Sequence, residues 1–374
     1  MAKKSTGGKS AKIALSVIIS FILLIMLITS AAIGVFWTEL AAIRNIEQID
    51  DYGFFVMEYK RDYNLDHLLS VGASSDQELI DYIVKQIFKG IPIKIDMSDY
   101  ACTTFNSVTA EGEYLFARNF DWEYSPSLMV WTAPDNGYAS ISMVNLGFLA
   151  YAKDYLPDKY FNRFLTLAAP YVPVDGMNEA GLAIGVLYLE AEPTAQDTGK
   201  IGLTTTTMIR LVLDKAATVA EAIALFEAYD MHDSAGACYH YQIADATGAS
   251  VIIEYIDNEM TLIYPEHNDG NAVDFQMAAN FFITPDVSDI DLGIERYTAV
   301  KDALTASNGL TTKEEAMALL QEVRLDNYIE ESGFINDTQW SAVYDLTNRT
   351  LNICIGMNYE TIYSFAIDSP MQIK

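Results

Sequence analysis

The chain has 374 residues, of which 51% are hydrophobic and 20% charged, and its formal net charge is −28. This composition supplies a sizeable core and excludes wholesale disorder, and the length fits one large domain or two small ones. So acidic a surface repels phosphate backbones, which excludes nucleic acid as a partner, and otherwise serves solubility.

Charge is spread unevenly. No Asp or Glu precedes Glu39, whereas Lys3, Lys4, Lys9 and Lys12 do, so residues 1–12 form a basic start. Residues 13–37 carry no charge and include the run Ile18-Ile19-Ser20-Phe21-Ile22-Leu23-Leu24-Ile25-Met26. The stretch is long enough to cross a hydrocarbon core as a helix. With the lysines held on the cytoplasmic side, it predicts a single-pass anchor in the cell membrane, Trp37 at the interface and the rest of the chain extracytoplasmic. A cleaved signal peptide ending near Ser30-Ala31-Ala32, giving a secreted protein, is the other reading. Both export the chain.

Residues 38–101 read as a leader, a segment too small to fold well alone that is expected to pack on the larger body C-terminal to it. Phe54-Phe55-Val56-Met57 fits a strand or a buried turn. Ser75-Asp76-Gln77-Glu78 has the pattern of a capping box and opens an amphipathic helix through Leu79, Ile80, Ile83, Val84, Ile87 and Phe88, which Gly90 closes. From Cys102 the pattern changes to strands. Residues 102–109 and 114–120 flank Ala110-Glu111-Gly112-Glu113 as a hairpin. Strands are expected at 128–132, 138–144 and 182–189, then helices at 205–215 and 219–229. Strands come next at 239–243 and 250–256, joined by the turn Asp245-Ala246-Thr247-Gly248, and at 261–264 and 275–280. Helices at 295–306 and 313–323 precede three closing strands at 339–344, 350–355 and 361–367. Blocks of strands alternating with pairs of helices point to an α+β fold with four layers, αββα, in which helices cover the outer faces of two stacked sheets.

Three cysteines are too few for a disulfide scaffold. Cys238 and Cys354 lie in strand-like runs and read as small core residues, although an exported protein can also bridge them. Cys102 is different, because its hairpin returns Arg118 and Asp121 towards it. A thiol is a good nucleophile only as thiolate, and an unperturbed cysteine titrates near ~8.5, so some base must take its proton. His67, His232, His240 and His267 lack a local pattern that marks a partner, and they lack the spacing of metal ligands; no metal or organic cofactor is implied. The α-amino group of Cys102 is the alternative base. It titrates near ~7.7–8 and is free only if the chain is cut before Cys102, leaving residues 102–374 as the mature chain.

Cys102-Thr103 is followed sixteen and nineteen residues later by Arg118 and Asp121, within Ala117-Arg118-Asn119-Phe120-Asp121. Then come Asp175-Gly176-Met177-Asn178-Glu179, Asn280 at the end of a strand, and Arg296-Tyr297 at a helix start. In this order and spacing the chain resembles the choloylglycine hydrolase family of linear-amide hydrolases, within the N-terminal-nucleophile hydrolases, which includes bile salt hydrolases and penicillin V acylases. The resemblance runs through most of 102–374. It implies an N-terminal-nucleophile sandwich that cuts before Cys102 and hydrolyses the C–N bond of an N-acyl amide through a thioester. Cys102 is then nucleophile and, through its amine, base; Asp121 holds that amine; Arg118 and Arg296 favour the thiolate. The side-chain amide of Asn280 and the backbone N–H of Asn178 face the oxyanion.

The chain departs from the bile salt branch in two ways. A long leader precedes the cysteine, a layout similar to acid amidases and acid ceramidase, where the leader stays bound. The connection between Asn280 and Arg296 is also short, which puts bile salt specificity in doubt. Phe105, Phe120, Trp122, Tyr124 and Trp131 fit either an acyl pocket or the core. The expected partner is a small-molecule N-acyl amide of bile-salt, penicillin V or fatty-acyl type. An acyltransferase on the same scaffold, a non-catalytic membrane-anchored binding protein and a Cys-His peptidase are the rival readings.

Overall fold

In a computed structural model, residues 7–93, 101–265, 273–329 and 335–369 are described. The helices are α1 (Gly7–Val35), α2 (Trp37–Ala42), α3 (Leu65–Val71), α4 (Asp76–Gln86), α5 (Thr205–Lys215), α6 (Val219–Ala228), α7 (Ile294–Ala306) and α8 (Lys313–Glu322). The strands before the first helix pair are β1 (Glu47–Gln48), β2 (Phe54–Tyr59), β3 (Ala101–Val108), β4 (Tyr114–Trp122), β5 (Ser127–Thr132), β6 (Ser140–Asn145), β7 (Asp175–Asn178), β8 (Ala183–Leu189) and β9 (Gly202–Thr204). After it come β10 (Asp230–His232), β11 (Cys238–Ala244), β12 (Ser250–Ile256), β13 (Glu259–Ile263), β14 (Met277–Ala278), β15 (Tyr328–Ile329), β16 (Ile335–Asp345), β17 (Thr350–Ile355) and β18 (Tyr363–Ala366).

Two sheets stack. The larger has nine strands in the order β1-β2-β5-β6-β7-β8-β11-β12-β13; the smaller runs β14-β3-β4-β16-β17-β18, with β15 beside β16. Strand alternation divides the apolar side chains between two layers. Cys102, Phe116 and Phe120 join Met143, Leu187, Ile252 and Trp340 in the core between the sheets. Phe105, Leu115, Ala117 and Val343 point the other way, into a second core with Val300, Leu304, Met317 and Leu320 of α7 and α8. Helices α5 and α6 pack on the far side of the nine-stranded sheet, against β7, β8 and β11. The four layers therefore run helix, sheet, sheet, helix, as the alternation of blocks predicts.

The leader is built into this body. Strand β2 lies parallel to β5, with Phe54 opposite Ser127 and Tyr59 opposite Thr132, and Phe54, Phe55, Val56 and Met57 are buried. The strand reading of that run holds, and its partner lies some seventy residues away. Helix α4 starts as the capping pattern requires: Ser75 Oγ accepts from the N–H of Glu78 at 3.3 Å. The Glu78 carboxylate reaches back one residue further than a capping box does, to the N–H of Ser74 at 2.8 Å.

The expected membrane span over 13–37 is met by a helix displaced towards the N-terminus, with Trp37 opening α2 instead of closing α1. Its side chains from Leu15 to Leu27 that are apolar and bulky stand exposed. Among the described residues no helix is long and apolar enough to cross a membrane. All three cysteines are free and buried, so Cys238 and Cys354 are core residues and no bridge joins them.

Candidate functional site

The β3–β4 hairpin sets the site. Its register places Cys102 opposite Phe120, Thr104 opposite Arg118 and Ala101 opposite Asp121. Cys102 and Arg118 thus point between the sheets, and Asp121 points towards α7. The thiol and the backbone of Cys102 meet different groups as a result.

On the inner side, Arg118 Nη2 lies 3.0 Å from Cys102 Sγ. The guanidinium is fully buried and held at its other corners. Nη1 donates to the carbonyl of Val174 at 2.7 Å, and Nε pairs with Asp175 Oδ2 at 3.3 Å. Asp175 also accepts from Trp340 Nε1 at 3.2 Å and from the Tyr344 hydroxyl. Gly185 makes room, since a Cβ there would sit 2.9 Å from Arg118 Nη1. Behind the guanidinium, Phe120 stacks on Trp340 with ring centroids 4.0 Å apart.

On the outer side, the N–H of Cys102 donates to Asn280 Oδ1 at 2.9 Å, and its carbonyl accepts from Arg296 Nη1 at 2.7 Å. Arg296 ties the rest together. Nη1 reaches Thr103 Oγ1 at 2.6 Å and Asp121 Oδ2 at 3.3 Å, and Nη2 reaches Asn280 Oδ1 at 2.8 Å. The second oxygen of Asp121 accepts from Thr338 Oγ1 at 2.5 Å. Nδ2 of Asn280 donates to the carbonyl of Tyr188 at 2.9 Å.

Burial governs the ionisation of these groups. It pushes the Cys102 thiol up to about 11, against the pull of Arg118 and of the backbone of Asp121. It also raises Asp121 to about 6, although Arg296, Thr338 and Arg118 favour the carboxylate. Asp175 is raised by burial too, with Arg118 opposing. With the Ala101–Cys102 peptide intact, the thiol is neutral at physiological pH.

The structure gathers Cys102, Arg118, Asp121, Asn280 and Arg296, and it does not bring Asn178 to them. The N–H of Asn178 is spent on the carbonyl of Leu182 in the β7–β8 turn. Its side chain donates to the carbonyls of Leu213 and Ala216 at 3.0 and 2.7 Å and accepts from the N–H groups of Ala180 and Leu182. Asn178 ties a turn to the end of α5, so its N–H is not available to an oxyanion. Sequence reasoning missed Asp175, Tyr188 and Thr338. Asp175 opens the same Asp-Gly-Met-Asn run, so its signal was present; Tyr188 and Thr338 have none. Phe120 and Trp122 belong to the main core and Phe105 to the outer one; Trp131 packs half-buried on the main core and bonds the Ile367 carbonyl, and Tyr124, half-buried, bonds the Tyr52 carbonyl. His67 stacks on Tyr82, His240 is buried against Glu254, and His267 lies outside the described residues. Among the described residues no group of three or more His, Cys, Asp or Glu side chains is placed to hold a metal ion.

The profile of the linear amide C-N hydrolases, choloylglycine hydrolase family, matches residues 102–282, starting on the cysteine. Those residues are a choloylglycine hydrolase family domain. A penicillin V acylase from Pectobacterium atrosepticum is 34% identical over 102 residues, 24% of this chain. The chain spans about a quarter of that relative's length, 26%. Two solved structures of variants of the conjugated bile acid hydrolase from Clostridium perfringens superpose with TM-scores of 0.51 and 0.52. Each is 16% identical, covers 73% of this chain and is itself covered to 95% and 96%. At that identity they speak for the fold alone, the mixed α+β sandwich.

Proposed function

We propose that the protein is an amidase acting on linear amides. It hydrolyses the C–N bond of an N-acyl amide with Cys102 as an N-terminal nucleophile. The observation that carries this reading is the division of partners at Cys102: the sulfur meets Arg118 at 3.0 Å, and the nitrogen meets the Asn280–Arg296–Asp121 cluster through Asn280 Oδ1 at 2.9 Å. A cysteine whose sulfur and nitrogen each have a polar setting is fit to use both.

The chemistry runs in two stages. In the first, the thiol of Cys102 adds to the carbonyl of Ala101, its proton passes to the Cys102 nitrogen as the C–N bond breaks to leave a thioester, and water cleaves that ester, freeing the thiol beside the new amine and leaving Ala101 as a carboxylate. The new amine has a pKa near ~7.7–8 and takes the thiol proton, which buried Cys102 cannot lose unaided. Arg118 stabilises the thiolate. In the second stage the sulfur attacks the substrate carbonyl. Nδ2 of Asn280, whose Oδ1 is held by Arg296, turns from the Tyr188 carbonyl towards the oxyanion; one such donor is typically worth ~2.7–4 kcal/mol. The amine proton passes to the leaving nitrogen, and water releases the acid from the thioester.

The leader is retained after cutting, a reading supported by the seating of β2 on β5. The uncharged run over 13–37 and its basic flank support an exported protein held at the cell membrane with the catalytic body outside.

The test is intact mass and N-terminal sequencing of purified protein beside a Cys102→Ala control. A fragment starting at Cys102 is expected in the wild type alone, and an active preparation with an uncut Ala101–Cys102 bond sinks the mechanism. Bile-salt conjugates, penicillin V and fatty-acyl amides then identify the acyl group.

A further inference from the structure

Asn280 makes three hydrogen bonds in the site, yet the strand that delivers it, β14, has two residues. Ladder hydrogen bonds over so short a strand hold little. The chain beyond it is gripped from the opposite sheet instead. His240, on β11, lies with Nε2 2.8 Å from the carbonyl of Ala279. Its Nδ1 lies 3.2 Å from Oε1 of Glu254 on the neighbouring β12. Glu254 then accepts the N–H of Ile283 through Oε1 at 2.7 Å and that of Thr284 through Oε2 at 3.1 Å. One grip falls on the residue before Asn280, the other on the third and fourth residues after it.

Alternation along β11 explains the placement. Cys238, His240 and Gln242 share the face turned towards the smaller sheet, where Gln242 donates to the Gln276 carbonyl at 3.1 Å and accepts from Thr104 at 2.6 Å. The pair is fully buried, which is costly for two such groups unless every polar atom is bonded. A carbonyl and a carboxylate only accept, so a ring bonded to both carries a proton on each nitrogen. Burial works to raise Glu254, but hydrogen bonds and charge from His240, with Thr284 and the Ile283 amide, hold it below the usual carboxylate range. Neither side chain bonds to Cys102, so the polar investment serves the backbone between their grips.

We propose that His240 and Glu254 are a positioning pair, clamping the chain over 279–284 so that the Asn280 amide stays against Cys102 where the oxyanion forms. The inference rests on the hydrolase reading for its purpose, while its geometry does not. A misplacement of about 1 Å in such a group costs on the order of a hundredfold in rate, and the loss falls on turnover when binding of the substrate is untouched.

The test uses His240→Gln and Glu254→Gln in the full-length protein, with penicillin V as the probe. Turnover is expected to fall roughly 10- to 100-fold in each, with KM within about twofold. In wild-type protein labelled with ¹⁵N-histidine, His240 is expected to show two ring protons, absent from His240→Gln. The side-chain amide signals of Asn280 are expected to shift in both variants. Full turnover in both folded variants, unmoved Asn280 signals or a single ring proton on wild-type His240 overturns the clamp. If the wild type cleaves no offered amide, the hydrolase reading fails by itself, and the ring protons and Asn280 signals still decide the clamp. Should neither variant fold, the wild-type ring protons decide it.

Discussion

Cys102 sits in a field that opposes its own burial without defeating it. Desolvation lifts the thiol to about 11, and the Arg118 guanidinium recovers only part of that. The uncut chain therefore lacks a thiolate at neutral pH, whereas the cut chain acquires an amine that titrates near ~7.7–8. Iodoacetamide labelling, followed by mass spectrometry on a mixture of both forms, is expected to reach its half-maximal rate about two pH units or more lower in the cut form. The same profile in both forms would remove the amine from the mechanism. Replacing Arg118 with Leu raises the thiol further and strands Asp175; breaking a buried pair in this way costs ~3–5 kcal/mol, readable by urea unfolding. Asp121 gives a signed pH effect. Its folded pKa, about 6, lies above the ordinary ~3.9, so its protonated form is the one that folding favours. That stability is fully present below the ordinary value and is lost as pH rises through 6. Asp121→Asn should therefore gain stability relative to wild type between pH 4 and 7, by roughly 1–3 kcal/mol. Activity of the cut enzyme should run the other way and fall on the acid side, because the amine needs the ionised carboxylate.

The elements show how far sequence carries and where it stops. Helices α4 to α8 are legible to within a residue or two, and three of them, α4, α6 and α8, start on a Ser or Thr whose hydroxyl accepts from an N–H of the first turn, a local signal. The hairpin of β3 and β4 is legible for the same reason, and with it the meeting of Cys102, Arg118 and Asp121. Strand β14 is shorter than the apolar run 275–280 predicts. The backbone N–H of Gln276 donates to Asn106 Oδ1, and its side chain accepts from Ser250 Oγ, a choice set by residues far along the chain. The same holds for Asp175, whose ion pair spans two sheets, and for Asn178. A turn motif in sequence does not say whether its N–H groups close the turn or face outwards. The structure closes it, which makes Asn178 a structural residue open to test. Asn178→Ala removes four side-chain hydrogen bonds, and each buried group left unpaired costs ~1–3 kcal/mol. The variant should lose stability to urea while folded enzyme keeps its kcat within about threefold. A hundredfold loss of kcat without loss of stability would return Asn178 to the oxyanion site.

At the scale of the whole molecule the question is what cutting before Cys102 does to the assembly. Strand β2 extends the nine-stranded sheet, and four of its apolar side chains are buried in the main core. Burying each such side chain stabilises by ~1.5–3 kcal/mol. Polar contacts add to the join: Tyr63 donates to Asp214 Oδ2 at 2.5 Å, a carboxylate that Arg210 holds from within α5 at 2.8 Å. Tyr52 donates to Gln339 at 3.0 Å. None of these depends on the Ala101–Cys102 bond, so the cut divides the chain without dividing the fold. The leader should co-elute with residues 102–374 in gel filtration under native conditions and separate only in denaturant. Made alone, 102–374 would expose β5, with Leu128, Met129 and Val130, as an apolar sheet edge that invites aggregation. Val56→Asp, which places a charge in that seam, should lower the yield of soluble cut enzyme while leaving Cys102 chemistry intact in the uncut chain. A soluble, monomeric and equally stable 102–374 fragment would show that the seam is dispensable and that the leader is discarded.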